Sequence, residues 1–514
     1  MSRLVLLVLT LWAKQVLSYT PMLPMDFSEI NLPSEHLQYY FSAFPSAAQQ
    51  CHIDDKCPYK MALNAQKYWG YTNNSGRYST PECTGWGQEK RDNAEQFYRE
   101  GDFGFIKQQL AELTQLCSPF TETGGSSLHC TDHLRYCRGS ELMLNFTKLS
   151  SVEEPFRYNM SVLSDSGIGG YCEPLRDEFL ERSDHVSALQ SWGPELRYFT
   201  QLTKTPRELC DIVITKPTYL MKIDATFNMY HHFCDFFNLY ASQHMNQHLG
   251  HNAFSTDVHM LIWETFDYRS PFRDTWEAFT DYPLWDLKTF RGRTVCFENV
   301  ILPLLPRMVF GLYYNTPLTR GCRNSGLFHA FSKHILHRLQ VPVYPRLPRK
   351  IRVTLLCRDT KYRRILNEDE LFEAINENEA YQATRVVFNA NIPFKQQLKI
   401  SANTDVLVGI HGAGLTHLLF LPDWATVFEL YNCEDHNCYS DLARLRGVNY
   451  ITWRDKLMLF PDREIGNSGE ADAKFKNYAF DVGVFKGLLK EAAGLVMNHT
   501  KFIAAGRKFE HEEL

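Results

Sequence analysis

No Cys-x-x-Cys pair occurs among the fourteen cysteines, which argues against a thioredoxin-type redox centre and against a zinc ribbon. Beyond the first residues there is no apolar run of about eighteen or more, so no second membrane segment is expected. Positive charge is not in excess: 54 Lys and Arg stand against 59 Asp and Glu, a net charge of -5, and nothing points to nucleic acid or an anionic membrane as partner. Internal repeats and low-complexity tracts are missing too. What remains is ordinary globular structure, and 514 residues are enough for two or three cores.

The two ends carry address information. Arg3 precedes the apolar stretch 4–12, which is too short to span a bilayer, and small residues near Ser18 suit a signal peptidase. Residues 1–18 are therefore expected to be a cleaved secretion signal. The last four residues, His511-Glu512-Glu513-Leu514, differ by one acidic substitution from endoplasmic reticulum retrieval signals and would be read by a retrieval receptor. Together the ends predict a protein of the endoplasmic reticulum lumen, with no membrane insertion after signal cleavage.

That compartment suits the cysteines, because an oxidising lumen lets them pair. Seven crowd residues 51–172, where prolines and the paired glycines 124–125 and 169–170 interrupt any periodicity. Residues 19–205 are accordingly expected to form a loop-rich, disulfide-stapled region. His129, His133 and Asp132 lie in it at a spacing that matches no zinc site and reads as a disulfide loop with polar neighbours. Cys433 and Cys438 are close enough for a local disulfide. Asn73, Asn145, Asn159 and Asn498 head sequons, consistent with a glycosylated surface. Aromatic residues at 14% are mostly core, yet saccharide clefts also use exposed rings.

From residue 206 strands alternate with helices. The organising stretch is 405–430: an apolar strand over 406–410, a helix over 415–421 and a second strand over 425–430 form a βαβ unit. Between strand and helix lies His411-Gly412-Ala413-Gly414. Two glycines there remove Cβ atoms, and open amides at the helix start suit a diphosphate; a tight turn without ligand is the competing reading. Glu429, at the carboxyl end of the next strand, could accept hydrogen bonds from a ribose. Arg358 and Arg363 follow the strand 351–356, and in a doubly wound sheet their loop shares an edge with the His411 turn, so both could reach one diphosphate.

Upstream, a helix is expected over 228–248 with Asn228 as N-cap. His231 and Asp235, four residues apart, share a face on which the carboxylate could orient the imidazole as a general base. An ordinary polar pair is the alternative. Asp281-Tyr282-Pro283 invites comparison with a metal-binding Asp-x-Asp signature, but Pro283 stands where the second acid belongs. The proline-rich segment 341–348 marks a boundary between a first α/β half, 206–345, and a second, 346–500.

The run 411–422 followed by Val427-Phe428-Glu429-Leu430-Tyr431, the block from Arg358 to Glu368 and Asn228-Met229-Tyr230-His231 resemble glycosyltransferase family 61. The resemblance implies a GT-B fold, two Rossmann-like halves facing a cleft. It implies UDP-N-acetylglucosamine as donor and, as acceptor, Ser or Thr hydroxyls between the fifth and sixth cysteines of folded EGF repeats. The partners would be EGF-repeat proteins such as Notch-type receptors and extracellular matrix proteins. It also implies an inverting transfer, and an acid-tyrosine-acid activity motif that here reads Asp281-Tyr282-Pro283. Some members are helped by manganese, so a divalent cation is a possible cofactor; no tightly bound one is expected. The alternatives are a luminal binding module or chaperone for EGF repeats without catalysis, and a family 61 transferase using another sugar.

Overall fold

A computed structural model describes residues 45–60, 81–120, 124–149, 165–173, 187–248, 254–265, 267–308, 321–345, 350–462 and 473–505, with isolated positions between 27 and 63 and at 162–163, 251–252 and 311–313. Residues 1–18, 511–514, Asn73 and Asn159 lie outside the described residues.

Among the described residues the chain is mixed α/β, built on three main sheets. The C-terminal sheet is wholly parallel. From Tyr381–Val387 at one edge it runs through Ile351–Cys357, Val406–Gly409 and Thr426–Glu429 to Asn449–Thr452. Val353, Leu355, Val406, Val408 and Phe428 are fully buried, the near-continuous apolar pattern of strands covered on both faces. The connection reverses direction between Ile351–Cys357 and Val406–Gly409, so the loops leaving these two neighbours part there and open a crevice at their carboxyl ends.

A seven-stranded sheet repeats that pattern in its parallel part. Thr218–Met221 lies between His259–Ile262 and Val300–Leu302, with Trp285–Asp286 at the edge. The reversal falls between Thr218–Met221 and Val300–Leu302. Three antiparallel strands, Cys137–Ser140, Ser127–Cys130 and Thr114–Cys117, then extend the same sheet. It thus crosses the division expected at residue 205: the cysteine-rich region contributes strands to the core, not only loops. A further five-stranded sheet pairs Leu142–Asn145 and Ile168–Gly170 from that region with Thr294–Phe297 and Ile212–Ile214.

Five disulfides join Cys51–Cys57, Cys83–Cys322, Cys117–Cys172, Cys130–Cys137 and Cys210–Cys296. Cys130–Cys137 closes the loop holding His133. Cys433 and Cys438 are not bonded, against expectation. Their side chains diverge: the Cys433 side chain joins the apolar core of the C-terminal sheet, whereas Cys438 opens a helix and lines a cavity.

The helix Met229–Met245 passes between the two units. Asn228 caps it, its side chain accepting from the Tyr230 amide at 3.1 Å. Every residue from His232 to Met245 is buried, so the helix is enclosed on all sides, its polar residues Asp235, Asn238 and Gln243 included. Only Tyr230 and His231 keep partial exposure. Among the described residues no helix is long and apolar enough to cross a membrane.

Candidate active site

A cavity of about 700 Å³ lies where the two reversals meet, lined by Asn228, Tyr230 and His231 on one side and by Arg358, Arg363, His411, Gly412 and Ala413 on the other. Residues more than 100 apart in sequence are thereby brought to one place. Sheet topology does this, because each contributing loop leaves the carboxyl end of a strand beside a reversal.

On the C-terminal side Arg358 donates from Nη1 to the carbonyl of His411 at 3.2 Å and from Nε to Thr360 Oγ1 at 3.2 Å. Burial, and then the like charge of Arg363, lowers the pKa of its guanidinium. The Nε of Arg363 is buried with no acceptor among the described residues. Arg363 also holds a φ of 61°, a left-handed conformation costly for a residue with a Cβ and typical of functional loops. Two cations held together in a half-buried cavity favour an anion between them.

The glycines of the turn serve packing more than ligand approach. A Cβ on Gly412, whose φ is +154°, would fall 1.7 Å from Arg358 Nη1, and one on Gly414 would fall 2.9 Å from Leu356 Cδ2. The turn enters a 3-10 helix, Ala413–Phe420, instead of an α-helix. Gly414 and Glu429 do not line the cavity. Glu429 is fully buried behind His411: its Oε1 lies 2.9 Å from His411 Nδ1, and its other oxygen accepts from Tyr450. Burial raises its pKa despite those hydrogen bonds. Glu429 therefore orients His411 and does not reach a ribose.

On the other side the expected His231–Asp235 pair is replaced. Asp235 is buried with His232, Oδ2 to Nδ1 at 2.9 Å, and accepts from the Asp224 amide at 3.1 Å. His231 instead places Nδ1 3.0 Å from Asp224 Oδ2 and 3.1 Å from Arg307 Nη2. Arg307 grips Asp224 through Nε at 2.6 Å and Nη2 at 3.2 Å. Burial pushes the Asp224 carboxyl up, but hydrogen bonds from His231 and Arg307 outweigh it and hold the pKa below the ordinary value. The helix turns 100° per residue, and the tight entry from Met221 brings Asp224, not Asp235, beside the first turn. Asp224 and Arg307 escape a sequence search because no motif marks them; their one signal is position, each a few residues past a strand end.

The Asp281-Tyr282-Pro283 triplet is not in the cavity. Asp281 pairs with Arg338 and accepts from Thr256 Oγ1 at 3.0 Å, while the Tyr282 hydroxyl donates to Asp257 at 2.6 Å. Asn145 accepts from the Thr147 hydroxyl at 2.6 Å, and Asn498 is exposed past the last long helix.

A manganese ion takes several oxygen ligands. Among the described residues the cavity carboxylates are Asp435, bonded to Lys474 at 3.0 Å, and Asp441, paired with Arg444 at 3.4 Å. This donor set does not fit a hard divalent cation.

Residues 229–428 match the family described as Glycosyltransferase 61, a span that holds His231, Arg358 and His411. Over 490 residues the chain is 51% identical to the EGF domain-specific O-linked N-acetylglucosamine transferase of Drosophila melanogaster, covering 93% of this chain and 92% of that protein. It is 44% identical over 503 residues to the protein of that name from Mus musculus, covering 95% and 93%. It is likewise 44% identical over 492 residues to the one from Xenopus laevis, covering 93% and 92%.

Proposed function

Since the chain belongs to glycosyltransferase family 61 and is a transferase, we propose that it moves N-acetylglucosamine from UDP-N-acetylglucosamine to Ser or Thr hydroxyls of folded EGF repeats, working with inversion in the endoplasmic reticulum lumen. The names of its relatives support the sugar and the acceptor. The signal-like start and the His511-Glu512-Glu513-Leu514 tail support the compartment. Two sheets whose reversals meet at one cavity support the GT-B reading.

The observation that carries the reading is the opposition of the Arg358–Arg363 pair and His231 across that cavity. In an inverting transfer the acceptor oxygen attacks the anomeric carbon while UDP departs from the opposite face. Charge then grows on the diphosphate and must be met there. Arg358 and Arg363 supply fixed positive charge, and Gly412 lets the Arg358 head lie against the turn. His411, held by Glu429, presents its Nε2 to the same space.

Opposite them, His231 Nδ1 stands 3.0 Å from Asp224 Oδ2; with its proton on Nδ1, directed at that carboxylate, the ring carries its basic lone pair on Nε2. That atom takes the hydroxyl proton as the new bond forms, and Asp224 holds the imidazolium produced. The Asp224–Arg307 pair keeps the carboxylate ionised and correctly aimed. No metal is needed for any of these steps, because the arginines carry the charge.

Incubating the purified protein with a folded EGF repeat and a panel of UDP-sugars, read by intact mass, tests the proposal. Addition of one N-acetylhexosamine only with the N-acetylglucosamine donor is expected. No addition with any donor would leave a binding module, and addition of a different sugar would assign another transferase of the family.

A further inference from the structure

Three side chains of the cavity lie close together, His411, Asp435 and Cys438, and only His411 has a place in the transfer just described. A ring nitrogen of His411, a carboxylate oxygen of Asp435 and the Cys438 thiol all lie within 4.8 Å of one another. The His411 Nε2 to Asp435 Oδ2 distance is 3.9 Å. Nitrogen, carboxylate oxygen and sulfur together are the donors of a four-coordinate zinc-class ion, which takes three protein ligands and keeps one position open. Manganese or magnesium would not choose this set.

A second feature is independent of the cluster's proximity. The far nitrogen of His411, Nδ1, is bonded at 2.9 Å to a fully buried carboxylate, Glu429, which is itself held by Tyr450. A carboxylate behind a histidine is the arrangement that fixes tautomer and ring direction for a metal on the other nitrogen. Tyr439, 5.1 Å from the imidazole edge-on, keeps the ring from turning away. Cys438 forms no disulfide and sits on the first turn of the helix Cys438–Arg446, whose start lies beside the turn at Asp435.

We propose that His411 Nε2, Asp435 and Cys438 bind a thiophilic divalent cation of the zinc class, and that its occupation excludes the nucleotide-sugar. Binding releases the Cys438 proton to solvent and detaches Asp435 from Lys474, which is 3.0 Å away. It also puts the ion beside Arg358 and Arg363, in the space assigned to the diphosphate. The competition half of the inference rests on the donor-site reading; the metal site itself does not.

The test uses the full chain in two arms. In the first, cobalt(II) is titrated into reduced protein without donor, and a thiolate-to-cobalt charge-transfer band is expected. Cys438→Ser should abolish the band, and Asp435→Asn should weaken binding at least tenfold while leaving the thiolate available. No band in the native protein, or a band that survives in Cys438→Ser, overturns the site. In the second arm, zinc is added to the transfer reaction. The apparent KM for donor is expected to rise at least tenfold at unchanged kcat, and Cys438→Ser should remove this sensitivity. A band with no effect on donor KM overturns the exclusion and leaves the site standing. Activation by zinc would overturn it equally.

Discussion

Phe233, on the helix Met229–Met245, meets Phe420, the last residue of the 3-10 helix that follows the His411 turn, edge-on, ring centroids 5.5 Å apart at 78°. Phe233 also contacts Phe394 at 5.6 Å. The two rings come from helices that follow strands of different sheets, so this contact sets the distance between His231 and the arginine pair. A rigid aromatic joint is suited to that, because two χ angles leave few alternatives and edge-to-face pairs add stability beyond the area they bury.

Phe233→Ala should therefore destabilise the protein by about 3–5 kcal/mol, the usual cost of emptying a fully buried phenylalanine site. Urea unfolding with activity measured per folded molecule is the check. Lowered turnover in the folded fraction is expected, since the helix start can then shift relative to His411.

Arg358→Ala should cut turnover on the order of a hundredfold or more, because it removes charge stabilisation of the leaving diphosphate. Gly412→Ala should reproduce that loss without touching the arginine, as its Cβ would fall 1.7 Å from Arg358 Nη1. Near-normal turnover of a folded Gly412→Ala enzyme would sink the claim that the guanidinium position matters.

His231→Ala should lose transfer while retaining UDP binding, and Asp224→Asn should lower kcat with little change in donor affinity. His232→Ala is a different case. Burial pushes the His232 pKa down to about 3, and the ring lies 2.7 Å from the Tyr268 hydroxyl and 2.9 Å from Asp235. Its loss leaves buried partners unsatisfied at a cost of about 1–3 kcal/mol, so lower stability with near-normal activity per folded molecule is expected. Loss of UDP binding in His231→Ala would move that residue to the donor site.

Burial raises the pKa of Glu264 to about 8, with Lys222 opposing, and its Oε2 has no partner among the described residues. The folded pKa lies above the unfolded one, so the folded state binds the extra proton. The stability this contributes is fully present below the ordinary carboxyl range and is lost as pH rises through about 8. Denaturant unfolding should show stability falling between pH ~5 and ~8, by at most about 1.4 kcal/mol per unit from this group. Glu264→Gln should flatten that slope, and an unchanged slope would refute the assignment.

Deleting His511 to Leu514 should release active enzyme into the culture medium. Continued intracellular retention, read by blotting cells against medium, would refute the retrieval proposal.

The sequence by itself determined the elements of the C-terminal half and their order. Apolar runs at 351–356, 406–410 and 425–430 became parallel strands whose ends lie within about one residue of those expected. Parallel strands must be buried on both faces, so their pattern is strong and local. From that order alone the Arg358 loop and the His411 turn were expected on one edge, and Arg358 now touches His411. Asn228 as a cap was legible for the same reason: it depends on neighbours in sequence.

Tertiary structure alone decided which partner each polar group took. Asp235 has the correct helical spacing for His231, but spacing fixes a face and not what packs on it. The all-round burial of the Met229–Met245 helix turned that carboxylate inward to His232 and gave His231 to Asp224. Glu429 occupied a strand end suited to a ligand, yet a side chain there is buried whenever a neighbour such as Tyr450 covers it. Cys433 and Cys438 are close in sequence, but Cys433 packs into the core of the C-terminal sheet while Cys438 lines the cavity. Periodicity is set by the backbone and can be read along a chain; hydrogen-bond and metal partners are set by what the fold brings from elsewhere.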